Sequence, residues 1–190
     1  MNLLKQTIMC LVILTVITGV VYPLIITGIA QIAFPCQANG SLIFRDSKAV
    51  GSSLIGQSFD SPKYFWSRLS ATSPMPYNGA NSSGSNLGPL NPVLIENVKA
   101  RVAKLKLSGT VHKTNIPVDL VTASGSGLDP DISLTAAEYQ IPRVALERNI
   151  NEIEVRNLVV RYAKDRQLGI LGEPRINVLE LNLALDTLEK

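Results

Sequence analysis

The sequence predicts an α+β protein: one N-terminal transmembrane helix followed by a single small mixed α/β soluble domain. Three observations carry this. No charged side chain lies between Lys5 and Arg45, and Ile8 to Phe34 within that gap is almost wholly apolar. The chain beyond it mixes helical and extended patterns. Those patterns start and stop at asparagine, proline and glycine residues, whose sterics begin or end elements.

Residues 1–7 form a short N-terminal segment and 8–34 the helix. About 20 apolar residues cross the roughly 30 Å hydrocarbon layer, so the run is long enough to span with some tilt. Gly19, Pro23 and Gly28 would weaken a helix in water. A bilayer tolerates them, and small residues there let a neighbouring helix approach, which makes these three the candidate helix contacts. A cleaved signal peptide would have a shorter apolar stretch and a small-residue cleavage site. "IAFPCQANG" offers only a poor one, around Ala38. Lys5 before the helix and Arg45, Asp46 and Lys48 after it leave the orientation open.

Cys10 and Cys36 sit at opposite ends of the helix, roughly 39 Å apart at about 1.5 Å per residue, too far to pair. No cysteine follows Cys36, which excludes a cysteine nucleophile or a thiolate metal site from the soluble part. The formal charge of +3 falls to about +2 with Lys5 set aside, and acids and bases are interspersed. Such a balance gives no argument for nucleic acid.

Residues 35–90 are rich in Gly, Ser, Asn and Pro, and "TSPMPYNGANSSGSNLGPLNP" has almost no apolar periodicity. Disorder is the default for such a composition; the alternative is a long ordered loop that packs its aromatics on a partner or on the domain. Tyr64, Trp66 and Arg68 are the candidate partner contacts, since Tyr, Trp and Arg dominate interface energies.

The compact domain is expected over 91–190. Asn91 as N-cap with Pro92 starts a helix whose apolar face carries Ile95, Val98, Val102 and Leu105. Glu96, Lys99, Arg101 and Lys104 fall elsewhere, and Ser108 and Gly109 stop it. "IPVDLVT" reads as a strand. Thr135 and Glu138 have capping-box spacing for a helix to about Arg148, which Pro142 should kink or loosen. Asn151 caps a further helix, "RINV" is extended, and "LELNLALDTL" closes the chain as a leucine-rich helix.

Between "IPVDLVT" and the Pro142 helix lies Ser124-Gly125-Ser126-Gly127. A strand, a glycine loop and a helix in this order can cradle a phosphate, but the GK[ST] ending and the three-glycine dinucleotide spacing are both missing. A tight turn or a partner contact is the better reading. His112, the only histidine, sits in a polar link without a carboxylate cluster, and no S-x-x-K spacing suggests a serine–lysine hydrolase. The residues therefore describe a membrane-anchored partner subunit without catalytic or metal residues. A membrane-anchored exported enzyme would need a convergent site that the sequence does not display.

Several blocks together resemble one family. "TGVVYPLIITGIAQIAFPCQANGSLI", "GSSLIGQSF", "MPYNGANSSGSNLGPLNP", "VTASGSGLDPDISLTAAEYQIPRVALERN" and "INVLELNLALDTL" are similar to the KdpC subunit of the bacterial Kdp potassium-transporting P-type ATPase. The resemblance covers almost the whole chain. "YFWSRLSAT" departs from it: the family pattern has glycine before the arginine and proline after it, where Ser67 and Leu69 stand here.

The resemblance implies a non-catalytic subunit beside a potassium-translocating pore subunit, a P-type ATPase subunit and a small single-helix subunit. It implies a single pass through the inner membrane, the N-terminus cytoplasmic and the soluble domain on the outer side. It implies stabilised assembly and a raised ATP affinity of the ATPase subunit, with no tightly bound cofactor. ATP contact in a ternary complex with that subunit would fall on Gln140 and on Ser124, Gly125, Ser126 and Gly127, the positions matching the family's glutamine and Ser/Gly loop. An outer-side domain cannot meet cytosolic ATP, so an indirect effect through assembly is favoured over direct ligation.

Overall fold

Pro23 shapes the first element. Helix α1, Asn2–Val16, opens into one π turn, Ile17–Val21, and resumes as α2, Tyr22–Ala33. Proline has no N–H to donate and its ring crowds the carbonyl four residues back, here Gly19. The turn widens instead, and the Tyr22 N–H reaches Ile17 O, five residues back. Local π turns of this kind satisfy the backbone around proline where water is absent. Thr7 and Thr18 donate their hydroxyls to Leu3 O (2.9 Å) and Leu14 O (2.8 Å), so neither is left unpaired on an apolar surface. Asn2–Ala33 is long and apolar enough to cross a membrane, with a mean hydropathy of 2.5 over an 18-residue stretch of it.

The structure is a computed structural model that describes residues 2–109 and 115–188; His112 lies outside the described residues. The chain divides into two compact units, Met1–Val50 and Gly51–Lys190. After the long helix a short α3, Pro35–Ala38, leads to a hairpin of β1, Leu42–Arg45, and β2, Lys48–Ser52, whose last two residues belong to the second unit. Its two turn residues, Asp46 and Ser47, have φ of 50° and 62°. Two positive φ values in a two-residue loop match the twist of the flanking strands.

The second unit is a three-stranded antiparallel sheet covered by helices. The strand order is β3 (Asp131–Ser133), β5 (Arg175–Asn177), β4 (Ala163–Lys164). Ile132 lies opposite Ile176, and Ile176 opposite Ala163, so an apolar row crosses the sheet. Helices α5 (Leu134–Arg148), α6 (Glu152–Tyr162) and α7 (Val178–Leu188) pack on it and on one another. Ile141, Val144, Val155, Leu181 and Leu185 fill the space between.

The helix starts follow local chemistry. Asn91 caps α4 (Pro92–Leu107) by accepting the Val93 N–H, and Asn151 caps α6 by accepting that of Ile153, both at 2.9 Å. Each such cap contributes about 1 kcal/mol. Helix α5 starts earlier than the Thr135 spacing suggests: Ser133, extended at the end of β3, accepts the Ala136 N–H at 3.0 Å. Asn149, at φ 54°, ends α5 in the left-handed region. Pro142 lies inside α5 without ending it.

Two expectations change. "IPVDLVT" is no strand; Val118–Leu120 is a short 3₁₀ turn, and only Ala123 pairs, in parallel, with Leu69. Val118 is exposed and Asp119 Oδ2 accepts the Ser133 N–H at 2.8 Å, so only Leu120 of the turn is a core residue. Helix α4 does not bury a purely apolar face either. Arg101 and Leu105 are its buried residues, while Ile95 is exposed.

Candidate functional site

The aromatic stretch in the Gly/Ser/Asn/Pro-rich region is the heart of the second unit. Phe65 and Trp66 are 0% and 1% exposed. Neither lies in a regular strand, so their backbone groups need partners from elsewhere. Two side-chain amides supply them. Asn182 of α7 accepts the Phe65 N–H (2.9 Å) and donates to Phe65 O (3.0 Å). Gln140 of α5 accepts the Trp66 N–H (2.7 Å) and donates to Trp66 O (3.2 Å) and Ala136 O (3.2 Å). The amides stand in for a neighbouring strand.

Arginines complete the clamp. Arg143 donates to Tyr64 O (3.0 Å), to Pro62 O and to Gln140 Oε1 (2.7 Å). Arg148 donates to Lys63 O (2.7 Å) and pairs with Asp186 (2.8 Å), its guanidinium 4.7 Å from the Tyr64 ring centroid. The Arg101 and Arg143 guanidiniums both lie over the Trp66 ring, 4.8 and 4.7 Å from its centroid. Burial, then the nearby Arg101 charge, lowers Arg143 to about 10, so it remains charged at neutral pH.

The Ser124–Gly127 loop is an intramolecular anchor. Ser124 N–H donates to Leu69 O (3.0 Å), and Ser124 Oγ accepts the Gly127 N–H (2.9 Å). Ser126 O accepts the Ser83 N–H (2.9 Å) and the Ser82 hydroxyl (3.0 Å), and Gly127 O accepts the Ser70 hydroxyl (2.7 Å). The loop thereby orders both the aromatic stretch and part of the Asn/Ser/Gly segment against their own domain.

Gly127, at φ 69°, is required here: a Cβ would sit 2.5 Å from Thr72 Cγ2 and 2.6 Å from Ser83 O. Gly127→Ala should cost about 2–4 kcal/mol, combining left-handed strain with overpacking. Gly125→Ala, where a Cβ meets nothing within 4 Å, should cost under about 1 kcal/mol. Urea unfolding of the detergent-solubilised chain compares the two.

The expected site residues therefore separate. Gln140 is fully buried with both ends of its amide engaged, which leaves it nothing to present to a nucleotide. Trp66, expected at a partner surface, is inside the domain because its ring and its Nε1–H, bonded to Ser61 O at 3.0 Å, are satisfied there. Tyr64 is half-buried beside Arg148 and Phe59. Arg68 pairs with Asp129 at 2.9 Å, and Tyr77 donates its hydroxyl to Arg68 O. Gly19, Pro23 and Gly28 lie on the apolar helix, with open space beside both glycines.

Asn182, Arg101, Arg143 and Arg148 escaped the sequence reading; the usable signal was polar residues set into otherwise apolar helix faces. Beside the clamp, a cavity of about 450 Å³ lies between α4 and the aromatic stretch, reached by Arg68, Arg101, Lys104 and Asp60. Among the described residues no group of three or more His, Cys, Asp or Glu could hold a metal ion.

The arrangement is one of anchoring within the domain. A family model described as K+-transporting ATPase, c chain (KdpC), matches residues 4–187. The potassium-transporting ATPase KdpC subunit of Burkholderia ambifaria is 60% identical over 185 residues, covering 97% of this chain and 96% of that protein. That of Paraburkholderia phytofirmans is 57% identical over 188 residues (99% and 98%), and that of Dechloromonas aromatica 57% over 189 residues (100% and 99%). Apolar helix, aromatic stretch, glycine loop and closing helix all fall within this match, and the chain belongs to the KdpC family of K+-transporting ATPase subunits.

Proposed function

We propose that the chain is a non-catalytic subunit that stabilises the potassium-transporting ATPase complex and raises the ATPase subunit's affinity for ATP indirectly. Its helix crosses the bacterial inner membrane once, the N-terminus cytoplasmic and the second unit on the outer side. Its partners are the potassium-translocating pore subunit, the ATPase subunit and a small single-helix subunit. Surrounding lipid covers the rest of the helix.

The observation that carries the indirect reading is the engagement of Gln140 inside the domain. A residue whose acceptor serves Trp66 and Arg143 would have to abandon a buried guanidinium to reach a ligand. The Ser/Gly loop is likewise committed to Leu69, Ser70, Ser82 and Ser83.

The assembly role is tested at Gly28. An added Cβ there meets nothing within 4 Å among the described residues beyond its own helix backbone, so a larger side chain reads a neighbour rather than this fold. Gly28→Leu should reduce recovery of the detergent-purified complex at least about fivefold, as bulk at a close helix contact does. Undiminished recovery would remove the helix from the assembly interface.

A further inference from the structure

Arg101 is 8% exposed and lines the cavity beside α4. Its Nε donates to Leu120 O (3.0 Å) and its Nη2 to Ser67 O (3.1 Å). Its Nη1 has no partner among the described residues. The other two cations of the cavity each hold a carboxylate: Arg68 holds Asp129, and Lys104 holds Asp60, the cavity's one acidic residue. Arg101 has no carboxylate partner among the described residues. Burial pulls its pKa down, with Tyr77 and Asp60 opposing that from a distance. A guanidinium taken out of water without a carboxylate is an unfavourable arrangement that an incoming anion would relieve.

Phe59, Leu87, Leu94 and Val121 face the same space, beside hydroxyl and amide side chains such as Ser58, Ser85 and Asn97. Val93, half exposed, follows the spacing of Asn97, Ala100 and Lys104 along α4 and extends that surface beyond the cavity. An inorganic anion would satisfy Arg101 and leave these side chains wet. A carboxylate carried on an apolar segment satisfies both.

We infer that this cavity is a docking site for an acidic side chain, flanked by apolar residues, on another chain of the ATPase complex. The inference rests on the reading of the chain as an assembly subunit and names one surface it uses. Charge complementarity and apolar walls at one site both favour a protein segment over a free ion.

The test is a photo-crosslinking amino acid at Val93 in the assembled complex, with the adduct mapped by mass spectrometry. The expected result is an adduct to another subunit, on a peptide with Asp or Glu among apolar residues. Asn97→Glu places a carboxylate one helical turn before Arg101, where it should pair with Arg101 and repel the incoming acid. That exposed substitution should lower the adduct yield at least about tenfold, whereas Asn97→Gln should leave it unchanged. Arg101→Gln should lower it similarly if the variant folds, and Asn97→Glu keeps the test valid if it does not. Adducts confined to lipid or to this chain, a partner peptide without an acid, or a yield indifferent to Asn97→Glu would each overturn the docking site. Normal recovery of the complex alongside any of these would leave the assembly role standing.

Discussion

Gln140→Leu should destabilise the second unit by about 3–6 kcal/mol, although leucine nearly matches the volume it replaces. The substitution keeps the core filled and removes only the amide. Besides the bond to the helix carbonyl of Ala136, three groups lose their amide partner: Trp66 N–H, Trp66 O and Arg143 Nη2, which now lie 2.7, 3.2 and 2.7 Å from it. Each buried orphan costs about 1–3 kcal/mol, against a typical domain stability of about 5–15 kcal/mol. Trp66 is the only tryptophan, so its fluorescence during urea unfolding of the detergent-solubilised chain reports the change at the place where it occurs.

The same variant separates the two roles open to this glutamine. A residue that contacted nucleotide could be replaced with little effect on the free chain and a large effect on labelling by a photoreactive ATP analogue. The buried clamp predicts the reverse. Unchanged stability, together with analogue labelling of the isolated wild-type chain that vanishes in Gln140→Leu, would restore the nucleotide site.

What could be read ahead of the structure was local. Asn91 and Asn151 announce their helices because a cap needs only its own side chain and an N–H two residues on. Ser133 was missed in favour of Thr135 because its role depends on where β3 ends, and β3 exists only by pairing with β5, more than forty residues later in the chain. Distance along the chain also hid the clamp. Gln140 and Trp66 are 74 residues apart, and Asn182 and Phe65 are 117 apart. No periodicity links such pairs.

Composition misled in a specific way. A stretch full of Ser, Gly and Asn reads as disordered by default because its apolar surface is small, with packing of its aromatics on a partner or on the domain as the alternative. Here Ser70, Ser82 and Ser83 bond to the Ser124–Gly127 loop, and polar bonding to the domain's own backbone replaces apolar burial. Arg101 went astray for the related reason that a charge on a helix reads as solvent-facing. Its guanidinium is instead stacked on Trp66 and bonded to two carbonyls. Resemblance supplied the family correctly, and the family model and relatives bear that out.

Trp66→Ala should be the most damaging single change. Emptying the space of a fully buried tryptophan costs about 3–5 kcal/mol. Arg101 and Arg143 also lose the ring they lie over, and such desolvated cation–π contacts contribute up to about 2 kcal/mol each. Far-UV circular dichroism must follow the unfolding, since the variant has no tryptophan left. Trp66→Phe keeps a ring face for the guanidiniums but loses the Nε1–H bond to Ser61 O, and should fall between, at about 1–3 kcal/mol. Recovery of the ATPase complex should decline for both variants only as far as their unfolding does. A tryptophan serving as a partner contact would give a different order: a free chain as stable as wild type, and a complex weakened by alanine and phenylalanine alike. That pattern would place Trp66 at an interface and overturn its buried contact with the two arginines.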